Sequence, residues 1–338
     1  MNPGTPVDRF DYELPPQVIA QTPIEPRDAA RLLVDGGPGS VPDDRSVADL
    51  PSLLGPGDVL VVNDTRVRPA RLRLEKPTGG RAEVLLLDPL GDRTWSALVR
   101  PGRRLREGTV LEHAGEAVLT VGPTDGETRS VTFGGERPVD DILADLGEMP
   151  LPPYITRSLD DPDRYQTVFA RQRGSAAAPT AGLHLTERVL DSVRARGVQV
   201  VTVDLQVGLD TFQPLRGSTL ADQVMHTEAY RVPEETATAV AAASRVVAVG
   251  TTTVRALEAA AVGPAAGRTD LFIRPGFDFA VVDVLLTNFH VPRSSLLVLL
   301  EAFMGERWRT LYDHALGAGY RFLSFGDAMV VSRRGGVR

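Results

Sequence analysis

Residues 245–261 read RVVAVGTTTVRALEAAA, and their reading decides the fold. RVVAVG is a buried-looking strand that runs into Thr251, Thr252 and Thr253. Those hydroxyls are placed to cap the helix VRALEAAA and to leave its first N–H groups free for a carboxylate or phosphate. Strand, polar turn and amphipathic helix in succession form the unit of an α/β domain.

The same texture recurs along the chain. DVLVV runs into Asn63, Asp64, Thr65 and Arg66, and VQVVTVDLQV runs into Gly208, Leu209, Asp210 and Thr211. AVVDVLL runs into Thr287, Asn288, Phe289 and His290, with Ser294 or Ser295 capping the helix LLVLLEAF. In open α/β sheets ligands collect where strands end. Polar residues at all these ends therefore describe one pocket at a sheet edge.

A further loop is aimed at the same place. In AAAPTAGLHLTERVL, residues 176–190, Thr186 is an N-cap, Glu187 lies in the first turn, and Gly197 is placed to stop the helix. Leu185 and Leu190 are spaced as a hydrophobic staple that fixes the entry angle. His184 then sits just outside a helix N-terminus, within reach of an anion or an electron-rich leaving group, unless the stretch is simply a tight packed turn.

Between residues 70 and 150 the texture changes to short alternating segments, AEVLLL, TWSALVR, TVLEH, AVLTV and RSVTF, broken by Gly91-Asp92 and Asp125-Gly126. This is the pattern of a small antiparallel barrel or sandwich inserted into an α/β domain. The expected division is 1–69 with 151–338 for the α/β domain and 70–150 for the insert.

Composition narrows the function classes. The 42% hydrophobic content of 338 residues is that of a globular chain, and no apolar run approaches the roughly 20 residues that span a bilayer. With no basic, apolar leader at its start, the chain is expected in the cytoplasm, away from membranes. Zero cysteines exclude thiolate chemistry, and Lys76 as the one lysine argues against Schiff-base catalysis. A net charge of −7 argues against a general nucleic-acid binder but leaves room for a local basic surface. VRPGRRLR, carrying Arg100, Arg103, Arg104 and Arg106, is the densest basic segment, either a solvated face or a phosphate contact.

Several sites are absent from the sequence. It has no G-x-G-x-x-G after a strand, no phosphate loop and no G-x-S-x-G. The five histidines lack H-E-x-x-H spacing, so no metal site is expected. His226 and Glu228 in MHTEAY share a face if extended and suit a purine-like edge or a surface polar pair.

Taken in order, VVNDTRVRPARL, YQTVFA, AAAPTAGLHLTE, TFQPL, MHTEAYRVP, VAVGTTTVRALEAAA, LFIRPGFDFAVVDVLLTNFHVPRSSLLVLLEAFMG and YRFLSFGDAMVV resemble the S-adenosylmethionine:tRNA ribosyltransferase-isomerases over nearly the whole chain. The resemblance implies a large discontinuous α/β domain with an inserted small antiparallel β-barrel. It also implies the reaction: the ribosyl part of S-adenosylmethionine moves to the aminomethyl group of a 7-aminomethyl-7-deazaguanine wobble base in tRNA with a GUN anticodon. Rearrangement to epoxyqueuosine releases adenine and methionine. S-adenosylmethionine is then a co-substrate, and no cofactor or metal is expected; the chain is expected to be a monomer.

That chemistry requires a proton taken from beside the sulfonium, a protonated adenine leaving group, and a held methionine carboxylate. A neutral histidine suits a general base or an adenine partner, which singles out His184. Asp64 is placed to pair with Arg66, or to bind the ribose or ammonium group. The N–H groups beyond Thr252 and Thr253 suit the carboxylate, with Arg255 the alternative anion partner. Asn63, Thr180, Asn288 and His290 are further pocket candidates.

One loop departs from the family pattern. Where the family has a histidine followed by Val-Gly-x-Gly-Thr-Phe, this chain reads Gln206-Val207-Gly208-Leu209-Asp210-Thr211-Phe212, and Leu185 replaces the usual phenylalanine. An amide keeps a hydrogen bond but transfers no proton at neutral pH. Gln206, Asp210 and Thr211 are therefore the positions at which a different acceptor would be selected, such as a free deazapurine nucleoside. A non-catalytic RNA-binding protein on the same fold is the third reading.

Overall fold

The computed structural model describes residues 4–208, 214–223, 225 and 227–334. The valine-rich segments form the middle of a mixed sheet. Among the described residues its spatial order is Ala266–Thr269, Glu228–Arg231, Gln199–Leu205, Asp58–Asn63, Arg245–Val249, Val284–Asn288, Ala328–Ser332, Arg31–Val34 and Asp43–Ser46. The four strands from Gln199–Leu205 to Val284–Asn288 run parallel, with Val61 held between Val201 and Ala248. Ala328–Ser332 is antiparallel to Val284–Asn288 and parallel to Arg31–Val34, so the sheet is mixed at its flanks.

The continuous apolar runs are explained by two covered faces. Val59, Val61, Val203, Val246 and Ala248 join one core with Val254, Leu257, Leu300, Phe303 and Trp308. These come from the helices Thr251–Val262 and Ser295–Met304 and the start of Trp308–Gly317. Leu60, Val62, Val247 and Val249 point the other way, onto Val189, Leu190 and Val193 of the helix Glu187–Ala195. The two-residue period of a strand thus divides each run between two cores.

The helix starts show where local rules held and where they gave way. Thr186 accepts the Val189 N–H at 3.2 Å, Leu185 and Leu190 are both buried, and Gly197 has φ +78°. Ser294, not Ser295, caps the helix that follows it, accepting the Leu297 N–H. The threonines of the 251–253 turn do not cap. Gly250, at φ +88°, makes the sharp exit from the strand, so the helix already begins at Thr251. The Thr253 hydroxyl is left to donate back to the Val249 carbonyl at 2.6 Å.

The chain divides into two compact units, residues 1–66 with 152–338, and residues 67–151. In the smaller unit Arg71–Glu75, Arg81–Pro89, Thr94–Arg100, Thr128–Phe133, Glu116–Asp125 and Val110–His113 pair in that order. Glu75 opposite Glu112 closes them into an antiparallel barrel. Alternation fills the interior with residues such as Val84, Ala97, Val121 and Val131. No helix among the described residues is long and apolar enough to cross a membrane.

Candidate active site

The parallel strands of the larger unit end at a cleft with about 520 Å³ of empty space, part of it open to solvent. Its walls come from the segments that follow the strands: Val207, Gly250 to Thr252, and Thr287 to His290, joined by Thr180, Tyr154 and Ser324. Such a position follows from the topology, because chain direction reverses in polar turns at the C-terminal ends of parallel strands.

Beneath the cleft runs a hydrogen-bonded chain. The Thr180 hydroxyl donates to Asn288 Oδ1 at 2.9 Å, and the Asn288 amide lies 2.9 Å from His184 Nε2. The same amide nitrogen is 3.3 Å from the Leu323 carbonyl and 3.4 Å from that of Asp327. Leu323 adopts φ +69°, a left-handed conformation costing about 1 kcal/mol or more in a non-glycine residue. Accepting from Asn288 at Nε2 places the ring proton of neutral His184 on Nδ1.

Burial is the main reason His184 is neutral, pushing its pKa from 6.5 down to about 4, with Arg321, Arg27 and Arg164 adding to the effect. Burial, not its place beside a helix N-terminus, is thus the leading cause. His184 itself is not among the cleft-lining residues; it acts on the cleft through Asn288. His290 does line the cleft, and burial lowers its pKa to about 3. Its Nε2 lies 3.1 Å from the Thr287 hydroxyl. Its backbone is clamped by the Tyr12 and Tyr312 hydroxyls at 2.6 and 2.8 Å.

The Asn63–Arg66 segment is used differently from the sequence expectation. Asn63 is buried, donating to the Leu205 carbonyl and to the Thr252 hydroxyl while accepting the N–H groups of Thr65 and Leu205. Its polar atoms therefore lace strand ends together. Asp64 is not brought to His184 or to the cleft wall. Burial raises its pKa, opposed by a hydrogen bond from Thr202 and by the charges of Arg171 and Arg231. Nor does it pair with Arg66, which lies 4.0 Å from exposed Asp163. Its neighbour is Asp204, whose carboxyl burial pushes up to about 6, with the charge of Asp64 contributing.

Arg255 is likewise not a free anion receptor. Its guanidinium forms an ion pair with Glu228, both side chains about nine-tenths buried, and its Nε donates to the Leu271 carbonyl at 3.1 Å. Glu228 also accepts the Gly208 N–H at 2.9 Å, while Arg255 Nη2 is buried without a hydrogen-bond partner. A guanidinium at that depth requires a carboxylate. Thr252 lines the cleft; Thr253 is fully buried behind it.

With this geometry in place, comparison with known proteins identifies the lineage. The family model for the queuosine biosynthesis protein matches residues 7–331. The chain belongs to this family. A relative from Azoarcus sp. (strain BH72), named S-adenosylmethionine:tRNA ribosyltransferase-isomerase, is 50% identical over 96% of this chain and 96% of its own. One of the same name from Moorella thermoacetica is 49% identical over 96% and 99%. The crystal structure of an S-adenosylmethionine tRNA ribosyltransferase from Thermotoga maritima is 37% identical. It superposes with a TM-score of 0.54, covering 95% of this chain and 99% of that one.

Within this queuosine-family fold, Gln206 donates its N–H to the Ala229 carbonyl at 2.9 Å and lays its side chain against Gly174. Gly174 has φ +148°, and a Cβ there would stand 2.7 Å from Gln206 Nε2. Asp210, Thr211 and His226 lie outside the described residues. Arg100, Arg104 and Arg106 are exposed in the barrel unit, and the Arg103 side chain is not described. Sequence reasoning missed Tyr154 and Ser324, which face each other at 2.7 Å in the cleft wall. No local pattern marks either of them. It also missed Asp204, whose one signal was an acid within the apolar run VTVDL. Among the described residues no cluster of histidine and carboxylate side chains is arranged to hold a metal.

Proposed function

We propose that the protein is an S-adenosylmethionine:tRNA ribosyltransferase-isomerase, an enzyme that consumes S-adenosylmethionine as a co-substrate. The acceptor in this reading is the 7-aminomethyl-7-deazaguanine wobble base of tRNA with a GUN anticodon. The aminomethyl nitrogen gains the rearranged ribosyl group as epoxyqueuosine, and adenine and methionine depart. One observation carries the assignment of the site: the Thr180–Asn288–His184 chain beneath a cleft at the ends of the parallel strands.

In this site the oxygens of Thr180 and Asn288 are the polar groups offered to the adenosyl part of the substrate, the Asn288 NH2 being held by His184 and neighbouring carbonyls. His184, neutral at pH 7, fixes the orientation of Asn288 from behind. The first-turn N–H groups of Thr251 and Thr252, in the cleft wall, suit the methionine carboxylate. His290 offers a second neutral ring. Asp64 and Asp204 form an acidic pair near the strand ends but outside the cleft wall, so a part for Asp64 in holding the ammonium or ribose group requires the substrate to reach past that wall. Arg100, Arg103, Arg104 and Arg106 supply the cationic face for tRNA. The enzyme works as a monomer in the cytoplasm, with neither metal nor resident cofactor. Near-half identity along the full length to relatives named for a tRNA acceptor favours this acceptor over a free nucleoside.

The test is a mass-spectrometric assay with purified protein, S-adenosylmethionine and tRNA carrying the 7-aminomethyl-7-deazaguanine base. Free adenine and modified wobble nucleoside should appear at equal rates. S-adenosylmethionine binding with neither product formed would move the protein to another acceptor.

A further inference from the structure

A second, smaller cavity lies next to the cleft, with about 230 Å³ of empty space, and nothing in the proposed reaction scheme yet uses it. Its wall is formed in part by Arg27, Arg164, Leu183, His184, Ser324 and Phe325, and it contains two guanidinium groups and no carboxylate. Ser324 belongs to both walls, so the cavities share one residue. Part of that space is open to solvent, and the enclosed part is too small for a nucleoside, so what it can take is a single charged group reaching in from the open side.

The arginines are held rigidly. Arg27 Nη1 donates to the carbonyls of Gln166 and Leu183 at 2.8 and 3.2 Å, and its Nη2 to that of Asp163 at 3.2 Å. Arg164 Nη2 donates to the Ile24 carbonyl at 2.8 Å, and its Nε lies 2.5 Å from the exposed carboxylate of Glu25. Neutral carbonyls orient a guanidinium without cancelling its charge, and the carboxylates that bear on the pair, Glu25, Asp161 and Asp163, are all exposed, where water screens them. The side chain of Arg164 is only 13% exposed, so its field acts in a poorly screened space. A half-buried pair of fixed cations beside a substrate cleft is an arrangement that favours an anion.

We infer that this cavity is an oxyanion subsite, in which Arg27 and Arg164 receive a negatively charged group of a substrate seated in the neighbouring cleft. This rests on the proposed function. Two substrate groups share the required chemistry: a phosphodiester of the acceptor tRNA next to the reacting nucleotide, and the carboxylate of the methionyl arm. The phosphodiester is favoured, because the Thr251 and Thr252 N–H groups already serve the carboxylate inside the main cleft.

The experiment compares wild type with Arg164→Gln and Arg164→Lys in equilibrium binding of S-adenosylmethionine, of substrate tRNA and of inorganic phosphate. Inorganic phosphate should raise the thermal midpoint of wild type and of Arg164→Lys, and leave Arg164→Gln unmoved. Equal shifts in all three proteins, or none, would overturn the subsite. A tRNA affinity about 10- to 100-fold weaker in Arg164→Gln, with S-adenosylmethionine binding unchanged, identifies the phosphodiester. The converse loss identifies the carboxylate. Loss of both ligands together with loss of the fold's thermal midpoint in Arg164→Gln, unrescued by lysine, would assign Arg164 a structural role and also overturn the subsite. A wild type that responds to phosphate but binds neither substrate would refute the proposed function while leaving the anion site in place.

Discussion

His184→Gln separates a buried neutral imidazole from one that titrates. In the folded chain burial and three nearby guanidinium groups hold the His184 pKa at about 4, against an ordinary 6.5. Above pH 6.5 the ring is neutral whether folded or unfolded, and contributes no pH dependence. Below 6.5 the unfolded chain takes up a proton that the folded chain refuses, so stability falls as pH drops and the loss is complete near pH 4. Each tenfold in proton affinity is worth about 1.4 kcal/mol, which makes the full loss about 3 kcal/mol. Glutamine can accept the Asn288 amide hydrogen as the ring does, but it does not titrate. Urea denaturation of wild type and His184→Gln at pH 7.5, 6.5, 5.5, 4.5 and 3.5, which spans both pKa values, reads the difference directly. The variant's deficit at neutral pH should shrink toward acid by about 3 kcal/mol. His290 titrates in the same sense in both proteins and cancels. Parallel stability curves would show that His184 is accessible to protons in the folded state, and the argument from burial would fail.

Glu228→Gln should destabilise the protein by about 3–5 kcal/mol by leaving Arg255 charged and uncompensated, whereas the double variant Glu228→Met/Arg255→Met should recover most of that loss in thermal melts. Replacing Arg100, Arg104 and Arg106 with glutamine should weaken tRNA binding and flatten the dependence of log affinity on log salt by about 0.7–0.9 per lost phosphate contact; an unchanged slope in filter binding would remove this face from the interface. Gly182→Ala would place a methyl 2.7 Å from the Phe169 ring and 3.0 Å from Thr167. It should cost about 1–3 kcal/mol in denaturant and shift the Thr180 turn, so that turnover falls more than stability alone explains.

Legibility in the sequence followed the range of the interaction. Strand–turn–helix units were readable because each depends on residues within one turn of one another, as the Thr186 cap and the Leu185–Leu190 staple show. The alternating segments of residues 70–150 likewise announced an antiparallel unit. Barrel closure was not readable from spacing, because it depends on one long-range register, Glu75 against Glu112. At the site, strand ends showed where a pocket would form, but not which side chains would face it. Thr180 and Asn288 are 108 residues apart, and Tyr154 and Ser324 are 170 apart; only the folded sheet makes them neighbours. Arg255 and Glu228 looked available because sequence displays charge but not burial. Once buried, each had to take the other as its partner.

The altered loop can now be weighed in the same terms. An amide at position 206 forfeits proton transfer, which raised the question of a changed acceptor. Successive side chains along an extended segment point to opposite sides, and here Val207 lines the cleft while Gln206 lies against the α-carbon of Gly174. The Gln206 side chain is thus packed against Gly174, and the hydrogen bonds of Thr180, Asn288 and His290 do not involve it. A proton donor at position 206 is not needed to explain how Asn288 is held, because His184 already does so at 2.9 Å. Glutamine at 206 is thus compatible with the Thr180–Asn288–His184 chain, none of whose hydrogen bonds involves it.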